Sequence, residues 1–295
     1  MSSADRLTKR QFVLLLAPAL VIVLLLFGGG LAYSGLQSLG WQPLIGRTTL
    51  SLDAYHNLLF APEYRDVFWT GLGFSLWISL ASTVLSAVLA VLIALLIQQA
   101  AERSRFWSFL LQLNLPVPHL VAAIGMLFLL SQSGFVSRAT AALGLTTTPA
   151  DFPVLVRDTG GVGIIIAYVW KEVPFIGVIV FGVLQSLQAA LVQAARNLGA
   201  NGWQRFRYIV LPLIAPSLLS SSLIVFAFTF GAYEIPALLG VRYPRALPVT
   251  ALFLFNDADL NSRTEAMALS VIITLITSVV IGGYLWLRGI AHRLG

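Results

Sequence analysis

Three ionisable side chains lie where an apolar chain tolerates them least. Lys171 and Glu172 are neighbours inside the run from Val162 to Leu187, and Glu234 follows Tyr233 inside the run from Leu213 to Leu239. A charge at membrane depth is costly unless it faces a partner or a wet cavity, so Lys171, Glu172, Tyr233 and Glu234 are candidates for lining a path for a polar solute. A structural reading stays open beside that one. Lys171 can extend its stem toward the outer surface, Glu172 can bond to backbone freed before Pro174, and Glu234 can serve the helix opening at Pro236. Other chemistry is poorly provided for. The histidines His56, His119 and His292 are far apart in sequence, cysteine is absent, and no HExxH, CxxC or carboxylate cluster occurs. A metal or hydrolytic centre is therefore not expected, because nothing brings nucleophile, base and oxyanion donor together. No GxxxxGK[ST] loop is present either, so ATP hydrolysis would have to reside on another polypeptide.

The elements that hold these groups are membrane helices. Of the 295 residues, 58% are hydrophobic and 10% charged, against about 25% charged in a soluble domain. Several apolar runs reach the roughly 20 residues that cross a bilayer as helix. An all-α membrane protein with about six transmembrane helices follows, the spans falling near 12–33, 67–97, 106–130, 162–187, 213–239 and 266–287. The first run is longer than the roughly 7 to 15 residues of a signal peptide's apolar region and has no convincing cleavage site, so it reads as an uncleaved span. Pro116 and Pro118 remove two donors from the third span and should bend or break it near mid-membrane, leaving carbonyl groups for neighbours to satisfy. Residues 1–65 form an N-terminal tail, first span and external loop, and 66–290 a five-helix core.

Six spans place both termini on one side. Arg6, Lys9, Arg10, Arg103, Arg105, Arg196, Arg205, Arg207, Arg288 and Arg293 fall on that side, opposed by Asp5 and Glu102. The positive-inside rule makes it the cytoplasm. The net charge of +6 is then mostly a topology signal, and no nucleic-acid partner is needed.

One polar island stands on the cytoplasmic side, QAARNLGANGWQRFRYIVLP from Gln193 to Pro212. Gly199 suits the left-handed turn that ends a helix, and Asn201-Gly202 extends the turn. A second short helix from about Trp203 to Val210 would put Arg205 on one face and Trp203, Phe206 and Ile209 or Val210 on another. Pro212 suits the first turn of the helix that re-enters the bilayer. Gln193-Ala194-Ala195, Gly199 and the terminal Leu211-Pro212 together resemble the EAA loop of permease subunits in binding-protein-dependent ABC importers. WKEVPF at 170–175 and FGAYEIPALLG at 230–240 are similar to the branch of that family that includes polyamine, ferric iron, thiamine and phosphonate importers.

The resemblance implies a type I ABC importer permease fold, with a cytoplasmic coupling loop at 189–212 docking in a groove of an ATPase. Gln193, Ala194, Ala195, Gly199 and Arg205 would make that contact, with Gln193 supplying a hydrogen bond where the family usually carries glutamate. It further implies a bacterial inner-membrane, multi-pass subunit that is not itself an enzyme. Its partners would be an ATPase dimer holding ATP and Mg, a second permease subunit (identical or different), an extracytoplasmic solute-binding protein and membrane lipid. The cargo would be a small polar solute such as a polyamine. An ion-gradient-driven secondary transporter is the alternative, and it would show inverted repeats with matched broken helices, which the sequence does not.

Overall fold

In hydrocarbon every backbone N–H and C=O must find its partner within the protein, which confines apolar spans of this length to helix. The computed structural model describes residues 9–99, 104–186 and 194–294. Gln193 lies outside the described residues, as do Asp5, Arg6, Glu102 and Arg103 among the charges used for topology. The helices are α1 (Lys9–Val23), α2 (Gly29–Ser38), α3 (Asp53–Phe60), α4 (Pro62–Gln99), α5 (Ser104–Gln112), α6 (His119–Leu130), α7 (Phe135–Ala142), α8 (Val162–Ser186), α9 (Gly202–Arg205), α10 (Leu211–Gly231), α11 (Glu234–Leu239), α12 (Leu247–Phe255) and α13 (Ser262–Leu294). Among the described residues six stretches are long and apolar enough to cross a membrane, namely Val13–Ser38, Pro62–Gln98, His119–Ala142, Val162–Ser186, Gly202–Gly231 and Ser262–Trp286.

The chain divides into two units, Met1–Arg65 with Ala251–Ile272, and Asp66–Thr250 with Ile273–Gly295. In the first, the α1–α2 stretch passes through a π-helical turn at Leu24–Gly28, and none of its most apolar window is buried. Polar bonds organise the rest of this unit. The Gln42 amide, turned to suit its neighbours, accepts from Thr264 Oγ1 at 2.8 Å and donates to Leu260 O at 3.2 Å. Asn57 Nδ2 donates to Glu265 Oε1 at 3.2 Å.

The second unit is built on α8, with 67% of its window buried against 28% for the Gly202–Gly231 stretch. One cluster joins α8 to α6 and α11 through Ile164, Tyr168, Ala123, Met126, Ile235 and Leu239. The other joins α8 to α4 and α10 through Ile176, Val180, Leu184, Ala90, Ala94, Ile214 and Val225. Lipid is as apolar as leucine, so what holds these helices is close packing. α4 supplies it with a stripe of small residues, Ser79, Ser82, Ser86, Ala90 and Ala94, all wholly buried. α8 reciprocates at Gly177, where a Cβ would meet Leu111 Cδ2 of α5 at 3.0 Å.

Three boundaries differ from the sequence reading. The third apolar run is broken outright between α5 and α6, and the membrane-length stretch runs on from His119 to Ala142 through α7. The fifth begins at Gly202, because α9, a π-helical turn at Phe206–Val210 and α10 form one continuous helical run. The wider turn takes up Pro212, whose ring would clash with a carbonyl in an unbroken α-helix. The segment after α11, read as plain external loop, contains α12. That helix has nine residues, too few to register as a span, and its first N–H, at Leu247, is bonded to Ser75 Oγ at 2.8 Å.

Candidate functional sites: a proline-linked clasp and a polar loop

The break between α5 and α6 follows from Pro118, which has no N–H for the carbonyl of Asn114 four residues before it. Asn114 O keeps a turn bond from Val117 N at 3.2 Å, and Lys171 of α8 supplies the donor that Pro118 lacks. Its Nζ donates to Asn114 O at 2.8 Å and to Leu115 O at 3.1 Å. α8 carries the converse vacancy, since Pro174 cannot donate to Trp170 O, and Asn114 Nδ2 fills it at 2.6 Å. Each of the two segments thus satisfies a carbonyl that a proline leaves free in the other. This corrects the sequence reading of the Lys171-Glu172 pair: Lys171 does not reach for the surface but is 4% exposed, and it is Lys171, not Glu172, that bonds freed backbone. A carboxylate cannot donate to a carbonyl, whereas an ammonium brings three donors.

Glu172 has a different partner. Its Oε1 lies 3.1 Å from His119 Nε2, an ion pair when the imidazole is protonated. The imidazole also packs on the Phe228 ring of α10, centroids 4.4 Å apart. One turn before Glu172 on α8, the Tyr168 side chain is fully buried and its hydroxyl has no hydrogen-bond partner. The carboxylates of both Glu234 and Glu172 act electrostatically on that phenol. Glu234 reaches the position because α10 ends at Gly231 and α11 restarts at Glu234. Pro236 denies a donor to the Ala232 carbonyl, and the chain breaks there.

Of the candidate path residues, Glu172 and Glu234 both act on Tyr168, Lys171 is taken up by the clasp, and Tyr233 stands at the N-cap of α11 with an exposed ring. Sequence reasoning missed His119, Asn114, Tyr168 and Phe228. Asn114 and Trp170 were within reach, each lying four residues before a proline. His119 was dismissed because its partner is distant in sequence. No group of three or more metal-ligating side chains occurs among the described residues.

In the polar loop, residues 194–197 form a helical turn closed at Gly199, whose φ is 83°. Gly199 N–H donates to Arg196 O and Ala200 N–H to Ala195 O, both at 3.0 Å, the bond pair of a Schellman stop. Asn201 then starts α9 with a capping box: its side chain accepts from Gln204 N at 2.8 Å, and Gln204 Oε1 accepts from Asn201 N at 2.8 Å. Phe206 and Val210 turn inward to the α8 cluster. The Trp203 ring lies 5.7 Å from that of Phe206, on the face the sequence reading gave it, but is itself 69% exposed, and Leu198 is 88% exposed. Ala194 is exposed, and Ala195 and Arg205 are half-buried. The loop thus offers an apolar tip on two capped turns, rigidly joined through the π-turn to α10.

The sequence pattern of the family described as "Binding-protein-dependent transport system inner membrane component" matches residues 58–293. The sn-glycerol-3-phosphate transport system permease protein UgpA of Shigella flexneri is 27% identical over 298 residues, covering 95% of this chain and 96% of that protein. The spermidine/putrescine transport system permease protein PotB of Haemophilus influenzae is 27% identical over 192 residues, 65% of this chain and 64% of that protein. Among solved structures, that of a bacterial ABC transporter involved in the import of the acidic polysaccharide alginate superposes with a TM-score of 0.75 at 20% identity, over 97% of this chain and 96% of that one. The match spans α4 to α13, including the clasp and the polar loop. The chain belongs to the family of binding-protein-dependent transport system inner membrane components, multi-pass permease subunits of ABC importers that leave ATP hydrolysis to a partner ATPase.

Proposed function

We propose that this permease subunit forms part of the translocation path for a small cationic solute such as a polyamine. The observation that carries the reading is the convergence of Glu172 and Glu234 on Tyr168, where α8 meets the interrupted runs α5–α6 and α10–α11. Lys171 is committed to two carbonyl oxygens, so carboxylates and aromatic rings remain to meet cargo, a combination suited to an ammonium group. The relatives do not agree on cargo charge, one being named for a phosphate ester and another for polyamines, so the charge of this site decides. Residues 66–290 act as the core. The termini and the 189–212 loop face the cytoplasm.

The loop from Gln193 through Ala194, Ala195 and Gly199 to Arg205 docks on an ATPase dimer that holds ATP and Mg. A second permease subunit completes the path, and a binding protein delivers cargo from outside; one solved relative is in complex with a "periplasmic protein" bound to its pentasaccharide. Closure of the ATPases on ATP pushes the two capped turns, and the continuous run through the π-turn carries that push into α10 and its break beside Glu234. The test is ATP-driven uptake into liposomes by the reconstituted complex, with labelled putrescine and glycerol phosphate compared. Glu234→Gln is expected to cut putrescine uptake at least tenfold with assembly intact. Uptake of the anion alone, or unchanged putrescine kinetics in the variant, overturns the reading.

A further inference from the structure

We infer that His119 is the resident counter-ion of the cargo site, holding Glu172 until the cargo's ammonium displaces it, so that protons and cargo compete for one carboxylate. This rests on the cationic-cargo reading above. The pair is asymmetric in a telling way: the His119 side chain is 29% exposed and the Glu172 side chain 9%. The imidazole therefore stands between the carboxylate and open space. It occupies the first helical position of α6, directly after the extended Pro118, so its backbone adjoins a break instead of lying within a rigid helix. The imidazole also packs, tilted by 44°, against the Phe228 ring, an aromatic that could equally receive an alkylammonium.

The charges around the imidazole decide the sign of the effect. The imidazole meets Glu172 of α8 and Phe228 of α10; the other charged groups of the cluster are Lys171, next to Glu172 on α8, and Glu234 at the start of α11. Lys171 is held by Asn114 O and Leu115 O and offsets one carboxylate. With neutral His119 the cluster carries one net negative charge, which a cargo ammonium neutralises. With protonated His119 the charge is already balanced, and the ion pair with Glu172 must break before cargo can bind. An imidazole changes charge between about pH 5 and 8, so acidification should weaken cargo binding by up to about tenfold per pH unit once His119 is protonated.

The experiment measures initial putrescine uptake by the complete reconstituted importer, with its binding protein, from external pH 5.5 to 8.0. Wild type is compared with His119→Gln, which keeps a hydrogen bond to Glu172 but cannot titrate. The binding protein is the same in both, so its own pH response cancels in the ratio. The inference expects wild-type uptake to fall toward low pH and the ratio of His119→Gln to wild type to rise by up to about tenfold per unit. A ratio constant with pH overturns it, and so does a flat wild-type profile, whatever the variant does. His119→Phe, which keeps a ring against Phe228, gives the same readout if His119→Gln fails to assemble. Uptake of glycerol phosphate with none of putrescine rejects the cargo reading itself and is distinct from a constant ratio.

Discussion

Asn114 donates to Trp170 O only because Pro174 leaves that carbonyl without its helical donor, and this makes the clasp testable by a double-mutant cycle. Asn114→Ala removes a 2.6 Å bond and strands a carbonyl in an apolar setting. An unsatisfied buried acceptor costs about 1–3 kcal/mol, while bonds between membrane helices average about 0.6 with a ceiling near 1.7 kcal/mol. The lower range governs here, because the unfolded chain in detergent finds other partners; about 1–1.5 kcal/mol is expected. In a Pro174→Ala background the alanine N–H reaches Trp170 O directly, and the same Asn114→Ala change should cost no more than about 0.5 kcal/mol. The coupling of about 1 kcal/mol would appear in thermal unfolding of the purified chain in detergent as roughly 2 °C less destabilisation in the Pro174→Ala background. Equal losses in both backgrounds would refute the idea that Asn114 substitutes for the proline's missing donor.

Other consequences follow from single residues. Gly199 has open space around it, so only its φ of 83° resists a side chain. Gly199→Asn should be tolerated, whereas Gly199→Val should strain the turn by about 1–2 kcal/mol and abolish uptake while insertion persists; equal uptake by the two variants would contradict this. Trp203→Ala, which removes a half-free ring from the loop tip, should reduce ATPase co-purification several-fold without lowering the chain's own melting temperature. Lys171→Met leaves Leu115 O without its ammonium donor and Asn114 O with only its turn bond from Val117 N, and should lower the unfolding temperature in detergent by about 2–4 °C per kcal/mol lost; an unchanged midpoint would place their satisfaction elsewhere.

In the loop between α7 and α8, Thr147 and Thr148 hold the Asp151 carboxyl at about 2, below its ordinary 3.8. A depressed folded-state pKa stabilises the loop above about pH 4 and loses that contribution as pH falls through 2. Protection factors of the Thr147 and Thr148 amides should accordingly hold down to about pH 3, and loss of protection already at pH 4 would contradict the bonding.

The spans and the polar loop were legible in the sequence because both rest on local rules. Apolar length marks a span whatever it packs against, and Gly199 marks a left-handed stop from its residue type alone. Proline positions likewise announced vacancies at Asn114, Trp170 and Ala232. What could not be read is which distant group fills each vacancy. Lys171 meets Asn114 across 57 residues, and His119 meets Glu172 across 53, through a helix packing that no local pattern encodes. α12 escaped because nine apolar residues fit a buried short helix as well as an external loop.

The account stands most directly on the partnership it gives the loop at 193–205. The tagged chain, extracted from its native membrane in mild detergent, should bring with it an ATPase carrying a GxxxxGK[ST] loop and a second permease subunit, and Gly199→Val should lose the ATPase while keeping the second permease. Recovery of this chain alone, under conditions that hold other membrane complexes together, or undiminished ATPase on Gly199→Val, would contradict the coupling role.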